Sequence, residues 1–255
     1  MSTGFPTHTV VAIVVVMLAA AAAAWFTLSQ ALDRVHLDHR TRSVWRWSTA
    51  AVLSAWLLAR LALAVTPPGG SFLGFFPYTA AFVAFGGLVG LGALVISPTF
   101  RQLVRSAPQT WLIGTQAIRL AGFLFLALLD MGRLPAEFAL PAGYGDMLVG
   151  LLALATVAAL VGGRPYARAL LIGVNLLGLL DFVSAFATGL AAIGPFVLEI
   201  QAAGVSPLYL NYVLIVPAFG VPLYALLHVY SLVQLFSPRP VHREVAPWSV
   251  QPLAR

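Results

Sequence analysis

The sequence contains neither cysteine nor lysine. Without cysteine there are no disulfides, no thiolate chemistry and no cysteine-ligated metals. Without lysine there is no Schiff base to retinal or pyridoxal phosphate. Charge is scarce as well: charged residues form 9% of the 255 residues and hydrophobic residues form 60%, whereas globular chains are about 25% charged. Such a chain cannot cover itself with a water-soluble surface, so we predict a multi-pass membrane protein held in a lipid bilayer.

The motifs of common hydrolases and metalloenzymes are also missing. The sequence has neither a GxSxG nucleophile elbow nor an HExxH zinc motif. His228 is the only histidine within a predicted span, and one histidine cannot ligate a membrane haem b or a multi-histidine zinc site. His36 and His39 belong to a charged segment that is typical of a solvated loop. We expect no enzyme activity, no metal and no cofactor; an intramembrane enzyme that uses Asp130 or Asp181 as an acid–base group is an alternative.

The hydrophobic runs predict the fold class. About 20 apolar residues cross a bilayer as a helix, and the N-terminal run lacks the basic residues of a signal peptide, so we expect it to be retained. The prediction is an all-α, polytopic bundle of seven helices in a single domain, residues 1–236, followed by a short tail, 237–255. The spans are predicted near residues 9–31, 47–66, 78–97, 111–131, 147–162, 169–191 and 208–236.

The arginines predict the orientation of the bundle. By the positive-inside rule, their distribution places the N-terminus outside and the C-terminal tail in the cytoplasm. The formal net charge of +6 thus reflects membrane topology, and we expect no nucleic-acid partner. Arginine without lysine, together with many small aliphatic residues, indicates a GC-rich bacterial genome and the inner (cell) membrane. The cytoplasmic set is Arg34, Arg40, Arg42, Arg46, Arg101, Arg105, Arg164, Arg168, Arg239, Arg243 and Arg255, against Arg133 in the outer loops.

Residues 132–146 read as a loop rich in proline and glycine between the fourth and fifth spans. The fifth span is short, so this loop could dip into the membrane where protein or a water-filled cavity surrounds it. Asp146 is expected to cap the N-terminus of the fifth helix. In a second interpretation, Arg133 and that helix N-terminus recognise a small anion.

Arginine inside a span is the strongest functional signal. A charged residue at the centre of a membrane helix costs about 2.5–3.5 kcal/mol on insertion scales and usually has a partner. Gln116, Arg119 and Asp130 share one helix face, because 11 residues make about three turns. The sixth span carries Asn175 and Asp181, and we predict that Arg119 pairs with Asp181.

Together these groups predict a polar cavity that opens to the outside between spans two, four, six and seven. Arg119 and Asp181 would form its floor, Arg60 a wall and the 132–146 loop its rim, with Pro217 and Pro222 as hinges. The predicted ligand-binding residues are Arg60, Gln116, Arg119, Asp130, Arg133, Asp146, Asn175, Asp181 and Asn211.

Two functions fit these polar groups. In the first, the protein binds or transports a small polar solute or ion. In the second, it is a structural or accessory membrane subunit whose charges only hold helices together. Gly86 and Gly90 form a GxxxG face that allows close helix packing, either within the bundle or in a homo-oligomer or partner complex.

The stretch from Gln116 to His228 resembles an uncharacterised family of bacterial multi-pass membrane proteins. The resemblance covers about half of the chain, its specific part is a GxLPxxFAxPAGxGD-type segment, and it implies a seven-helix fold and a membrane location but no mechanism. The residues that carry it are Gln116, Arg119, Gly122, Gly132, Leu134, Pro135, Phe138, Pro141, Gly143, Gly145, Asp146, Asn175, Gly178, Asp181, Pro217, Pro222 and His228.

Overall fold

The computed structural model describes residues 7–65, 76–204 and 206–237, and all regular structure within these ranges is helical. Seven helical segments of the described chain are long and apolar enough to cross a membrane. The prediction of an all-α polytopic bundle is therefore confirmed. The helices are α1 (Thr7–Leu32), α2 (His39–Val65), α3 (Phe76–Ile96), α4 (Pro98–Ser106), α5 (Gln109–Gly114), α6 (Phe123–Asp130), α7 (Ala136–Val161), α8 (Ala167–Ala202), α9 (Leu210–Val213) and α10 (Val221–Phe236).

Two of the spans combine several helical types. The fourth consists of α5, a 3-10 helix at Thr115–Gly122, and α6, and the seventh consists of α9, a π turn at Val216–Gly220, and α10. The helix α4 is a short connecting element, capped by the Ser97 hydroxyl, which accepts a hydrogen bond from the Phe100 amide at 3.1 Å.

We call the end of the bundle formed by the connections 33–38, 97–108 and 162–166 the arginine face. The opposite end, formed by residues 131–135, 203–204 and 206–209, is the Gly132 face.

The fifth span is longer than predicted, and most of the predicted 132–146 loop is helical. The helix α7 begins at Ala136 after Pro135, and only residues 131–135 connect it to α6, with Gly132 in the left-handed conformation (φ +64°). Asp146 consequently lies inside α7, and its predicted N-cap role was wrong. The glycines of this segment act in packing, because a Cβ on Gly122 would lie only 2.7 Å from the Gly143 carbonyl oxygen. Membrane helices use small residues in this way to approach closely.

Two other span boundaries also differ from the prediction. The second span begins at His39 rather than near 47, which places Arg40, Arg42 and Arg46 in its first turns, and the sixth continues to Ala202 rather than 191. The Thr41 amide donates to the Asp38 carboxylate at 2.9 Å, and hydrogen bonds from Thr41 lower the pKa of Asp38. The predicted tail lies outside the described residues beyond Ser237.

The predicted glycine face of α3 packs within the bundle. A Cβ on Gly86 would overlap the Trp56 ring and approach Pro222, and one on Gly90 would collide with Leu226. The Tyr230 hydroxyl donates to the Gly90 carbonyl oxygen at 3.0 Å. The two glycines therefore bring α3 against α2 and α10, so the intramolecular alternative is the one that the described residues adopt.

The 3-10 helix of the fourth span and the π turn of the seventh border the same small cavity in the interior. Pro217 and Pro222 lack the amide hydrogen that an α-helix requires, and the backbone around them opens into the π turn. The 3-10 helix in the fourth span is eight residues long, although 3-10 runs above three or four residues are uncommon and often mark functional hinges. Arg119 of the 3-10 helix and Val216 of the π turn line the same small cavity. The two departures from α-helix thus border one cavity beside Arg119.

Candidate functional site

Arg119 is the centre of a buried polar cluster. Its Nε donates to the Asp146 carboxylate at 2.7 Å, its Nη2 donates to the Asp181 carboxylate, and its Nη1 lies 3.2 Å from His228 Nε2. The Phe182 ring covers the guanidinium at 4.1 Å from the ring centre. Each of the three guanidinium nitrogens therefore has a protein partner. The predicted pair of Arg119 and Asp181 is present, and Asp146 is a second carboxylate on the same guanidinium.

Glycines make room for this cluster. Asp146 lies on α7 and Asp181 on α8, and a Cβ on Gly145 would overlap the Asp181 carboxylate. On α8, a Cβ on Gly178 would overlap the His228 ring of α10. Side chains at these two positions would push α7, α8 and α10 apart, so the glycines allow the charged groups to meet.

Hydrogen-bond chemistry fixes the state of His228, which is fully buried. Arginine can only donate, so His228 Nε2, which faces Arg119, must be the unprotonated acceptor. The ring proton therefore resides on Nδ1, which donates to the Asn175 side-chain oxygen at 2.9 Å. His228 is consequently a neutral imidazole of defined tautomer.

The hydrogen bonds continue from His228 toward the arginine face. The Asn175 amide nitrogen donates to the Ser231 hydroxyl at 2.8 Å, and that hydroxyl donates to the Gln109 side-chain oxygen at 2.8 Å. Gln109 lies at the start of α5, beside the 97–108 loop, and its amide nitrogen donates back to the Ser231 carbonyl oxygen at 2.9 Å. Each side chain in this series donates to the next one, from Arg119 to Gln109. We call the series His228, Asn175, Ser231 and Gln109 the amide chain.

Replacing Ser231 by alanine should lower the free energy of unfolding by about 1–2 kcal/mol, because it removes an acceptor from the buried Asn175 amide and the donor to the half-buried Gln109 side chain. Detergent-solubilised protein unfolded by titration with dodecyl sulfate measures this loss. Adding Gln109→Leu removes the second partner, so the double variant should lose less than the sum of the two single variants. Strictly additive losses would show that the two side chains are not coupled.

The two carboxylates border a cavity of about 410 Å³ that extends from Asp146 and Asp181 toward the Gly132 face. Its volume lies within the range of about 300–1,000 Å³ that is usual for small-molecule sites. The described lining comes from spans three to seven, and apart from Asp146, Asp181 and Thr79 it is apolar. The aromatic residues in it are Phe125, Phe138, Phe182 and Phe186. A second cavity, of about 230 Å³, has no charged residue in its described lining.

The predicted cavity lining was wrong for the second span. Arg60 is buried, with 1% of its surface exposed, and its Nη2 donates to the Asn211 backbone carbonyl at 2.9 Å. Neither residue is part of the described lining of the large cavity, so Arg60 neither forms a cavity wall nor reaches toward the membrane surface. The wall is instead contributed by α3, whose residues there carry no charge and therefore gave no signal in the sequence.

The other predicted residues lie at three different places. Gln116 is buried and donates to the Tyr224 carbonyl oxygen at 3.2 Å, and Asn175 belongs to the amide chain. Asp130 is exposed at the end of α6. At the Gly132 face, Arg133 lies over the Tyr209 ring at 5.3 Å, and the Tyr209 hydroxyl donates to the Arg133 carbonyl oxygen at 3.0 Å. Burial raises the pKa of Tyr209 to about 12.

Sequence reasoning missed the position of Asp146 and the roles of three residues. Gln109, His228 and Ser231 complete the amide chain, yet polar residues of this kind are ordinary in a membrane helix. The only available signal was spacing, because Tyr224, His228 and Ser231 recur at steps of four and three residues and so share one face of a helix. That face is the one that α10 turns toward Gln116, Arg119 and Asn175.

Comparison with known proteins gives a family. A family model described as a domain of unknown function, DUF8737, matches residues 76–236. The matched range includes Arg119, both carboxylates, the amide chain and the large cavity, and it begins after α2. No curated protein and no solved structure matches the chain. Because the match covers more than half of the 255 residues, this membrane protein belongs to the DUF8737 family.

Proposed function

We propose that this protein binds a small solute in the cavity that ends at Asp146 and Asp181, and that it moves the solute across a bacterial inner membrane. One observation carries the proposal: a cavity of about 410 Å³ reaches two carboxylates deep within the bundle. Charged groups inside a membrane are costly and mark solute or ion pathways more often than not. Ion pairs that only hold helices together do not require such a cavity beside them.

The helix geometry supports movement at the site. Arg119 belongs to the 3-10 helix, and Val216 and Pro217 of the π turn line the large cavity. Turns of this kind are common at hinges and functional sites, and helix ends that absorb backbone rotation allow domains to close around a ligand. The positive-inside rule places the arginine face in the cytoplasm, so the cavity would receive its solute from the outer side.

A second candidate function is an accessory subunit that binds a partner protein, as the sequence also allowed. The amide chain favours it, because these side chains connect α5, α8 and α10 without lining the large cavity. If the protein is such an accessory subunit, filling the cavity should stabilise it and should leave the binding of its partner protein unchanged.

Filling the cavity should abolish solute binding. Ala185 lines it one turn from Asp181, and phenylalanine at that position would occupy the space beside the carboxylates. The measurement is thermal unfolding of the detergent-purified full chain against a panel of small cations, anions and neutral solutes. A solute present at 100 times its Kd stabilises the native state by about 2.7 kcal/mol, and we expect the Ala185→Phe variant to lose this stabilisation.

The matched control is Ala187→Phe, on the same helix but exposed on its surface. It should be stabilised by the same solute as the wild type. Equal stabilisation of both phenylalanine variants would place the binding site elsewhere. No stabilising solute in the panel, with an Ala185→Phe variant more stable than the wild type, would support the accessory function.

A further inference from the structure

We infer that the solute is an amphipathic organic cation, and that it exchanges with a proton at the Asp146–Asp181 pair. The inference rests on the proposed function and names the class of its ligand. In the exchange, a proton leaves one carboxylic acid of the pair, and the cation takes its place beside the resulting carboxylate. No covalent bond to the solute forms or breaks.

The charges around the pair do not balance. Asp146 and Asp181 carry two negative charges when ionised, Arg119 carries one positive charge, and His228 is neutral because its Nε2 accepts from Arg119. One unbalanced charge in an apolar interior is strongly unfavourable. The site therefore needs one further positive charge, which either a proton or a bound cation supplies.

No other described group facing the pair supplies that charge. Of the polar residues that line the two cavities at the pair, the fourth span contributes Arg119 and α10 contributes Tyr224, whereas α1 and α3 contribute only uncharged residues. His228 lies behind Arg119 and is neutral. Arg133, Asp130 and Glu137 lie toward the Gly132 face and do not line either cavity. The imbalance thus belongs to Asp146, Asp181 and Arg119 alone among the described residues.

Two polar atoms at the site remain open to a ligand. The Asp181 side chain is 9% exposed, and its Oδ1 accepts no hydrogen bond from the described residues, while its Oδ2 binds Arg119. The Tyr224 hydroxyl is buried without a hydrogen-bond partner in the described part of the chain, and Tyr224 lines a cavity of about 40 Å³ together with Arg119 and Asp146. Native proteins rarely leave a buried hydroxyl such as that of Tyr224 unsatisfied.

The geometry argues against an anion and against a divalent metal ion. An anion would need the Arg119 guanidinium, but all three of its nitrogens have protein partners and the Phe182 ring lies against it. An inorganic cation such as Ca²⁺ or Mg²⁺ takes about six or more oxygen ligands, whereas the described lining offers two carboxylates and Thr79.

An organic cation fits both the charged end of the cavity and its apolar lining. Its positive group would lie at the Asp146–Asp181 pair, and its apolar body would lie against Phe125, Phe138 and Phe186. Aromatic rings also attract organic cations directly, most effectively when water is excluded. A proton and this cation neutralise the same charge, so they compete.

The test uses benzyltrimethylammonium, whose fixed charge means that any released proton comes from the protein. The full chain in detergent is titrated in weak buffer while thermal stability and proton release are recorded. We expect stabilisation, the release of up to one proton per cation bound, and an affinity that rises about tenfold per pH unit while the pair is protonated. Neopentylbenzene, the neutral molecule of the same shape, and benzylphosphonate, an anion, should not stabilise the protein.

Variants distinguish the exchange from a general charge effect. Asp181→Asn keeps Arg119 paired with Asp146 and should fold, but should bind the cation at least about tenfold more weakly and release no proton. Asp146→Asn is the reciprocal variant and should behave in the same way. Asp130→Asn, which changes an exposed carboxylate away from the cavity, should bind and release a proton as the wild type does.

The outcomes separate the inference from the proposed function. Stabilisation by the neutral or anionic compound but not by the cation would overturn the inference and leave solute binding intact. Cation binding without proton release, or unchanged binding in both aspartate variants, would overturn the exchange. If no compound of any charge stabilises the wild type, then solute binding itself fails.

Discussion

Replacing Arg119 with alanine lowers the free energy of unfolding by about 3–5 kcal/mol, the usual cost of removing one partner from a buried ion pair. The substitution leaves the Asp146 and Asp181 carboxylates facing each other in the interior, and it removes the donor to His228. Unfolding of the detergent-solubilised protein by dodecyl sulfate measures the loss. Arg133→Ala is the control, because Arg133 is only half-buried and contacts Tyr209, and it should cost no more than about 1 kcal/mol.

A triple variant tests whether charge causes this loss. Arg119→Leu combined with Asp146→Asn and Asp181→Asn carries no charge at the cluster, and it should be more stable than Arg119→Leu alone. Well-packed neutral residues often replace a buried ion pair at little cost. A triple variant that is less stable than the single variant would mean that Arg119 acts through packing and not through its charge.

Adding a methyl group at Gly178 should cost about 3 kcal/mol, the upper end of the usual penalty for overpacking a core. The Cβ would overlap the imidazole of His228, whose two nitrogens are held by Arg119 and Asn175. The ring cannot turn away without breaking these hydrogen bonds, so α8 and α10 would have to separate. The same unfolding measurement reports the loss for Gly178→Ala.

Gly173→Ala is the matched control on the same helix. A Cβ there would meet no atom within 4 Å, and alanine is the better helix former by about 0.5–1 kcal/mol. This variant should be as stable as the wild type or more stable. Equal losses at positions 173 and 178 would indicate a general effect of the substitution on α8, not a contact with His228.

The seven spans and the pair of Arg119 and Asp181 could be predicted because each depends on one strong local signal. A hydrophobic run long enough to cross a bilayer defines a span, and an arginine inside a span requires a nearby carboxylate. Helical spacing placed Asp181 at a compatible depth on the sixth span. These arguments need no knowledge of how the helices are arranged.

Asp146 shows where sequence reasoning stopped. Glycine and proline favour loops in water-soluble proteins, whereas in a membrane the same residues allow two helices to touch, as at Gly122 and Gly143. The sequence around Asp146 therefore predicts a loop, although the segment continues a helix. The α3 wall of the cavity could not be predicted either, because it contributes small, uncharged residues that have no distinctive pattern.

The amide chain has a consequence for the energy stored across the membrane. A chain of hydrogen bonds through part of a bilayer can conduct protons and so dissipate the proton gradient across the membrane. Here Arg119, which donates to the first member of the chain, does not deprotonate, and Asn175 and Gln109 carry amides that neither gain nor lose a proton near neutral pH. The interior is thus connected by hydrogen bonds to the arginine face and remains electrically insulated from it, so a proton taken up at the carboxylates must leave by the way it came or wait for the helices to move.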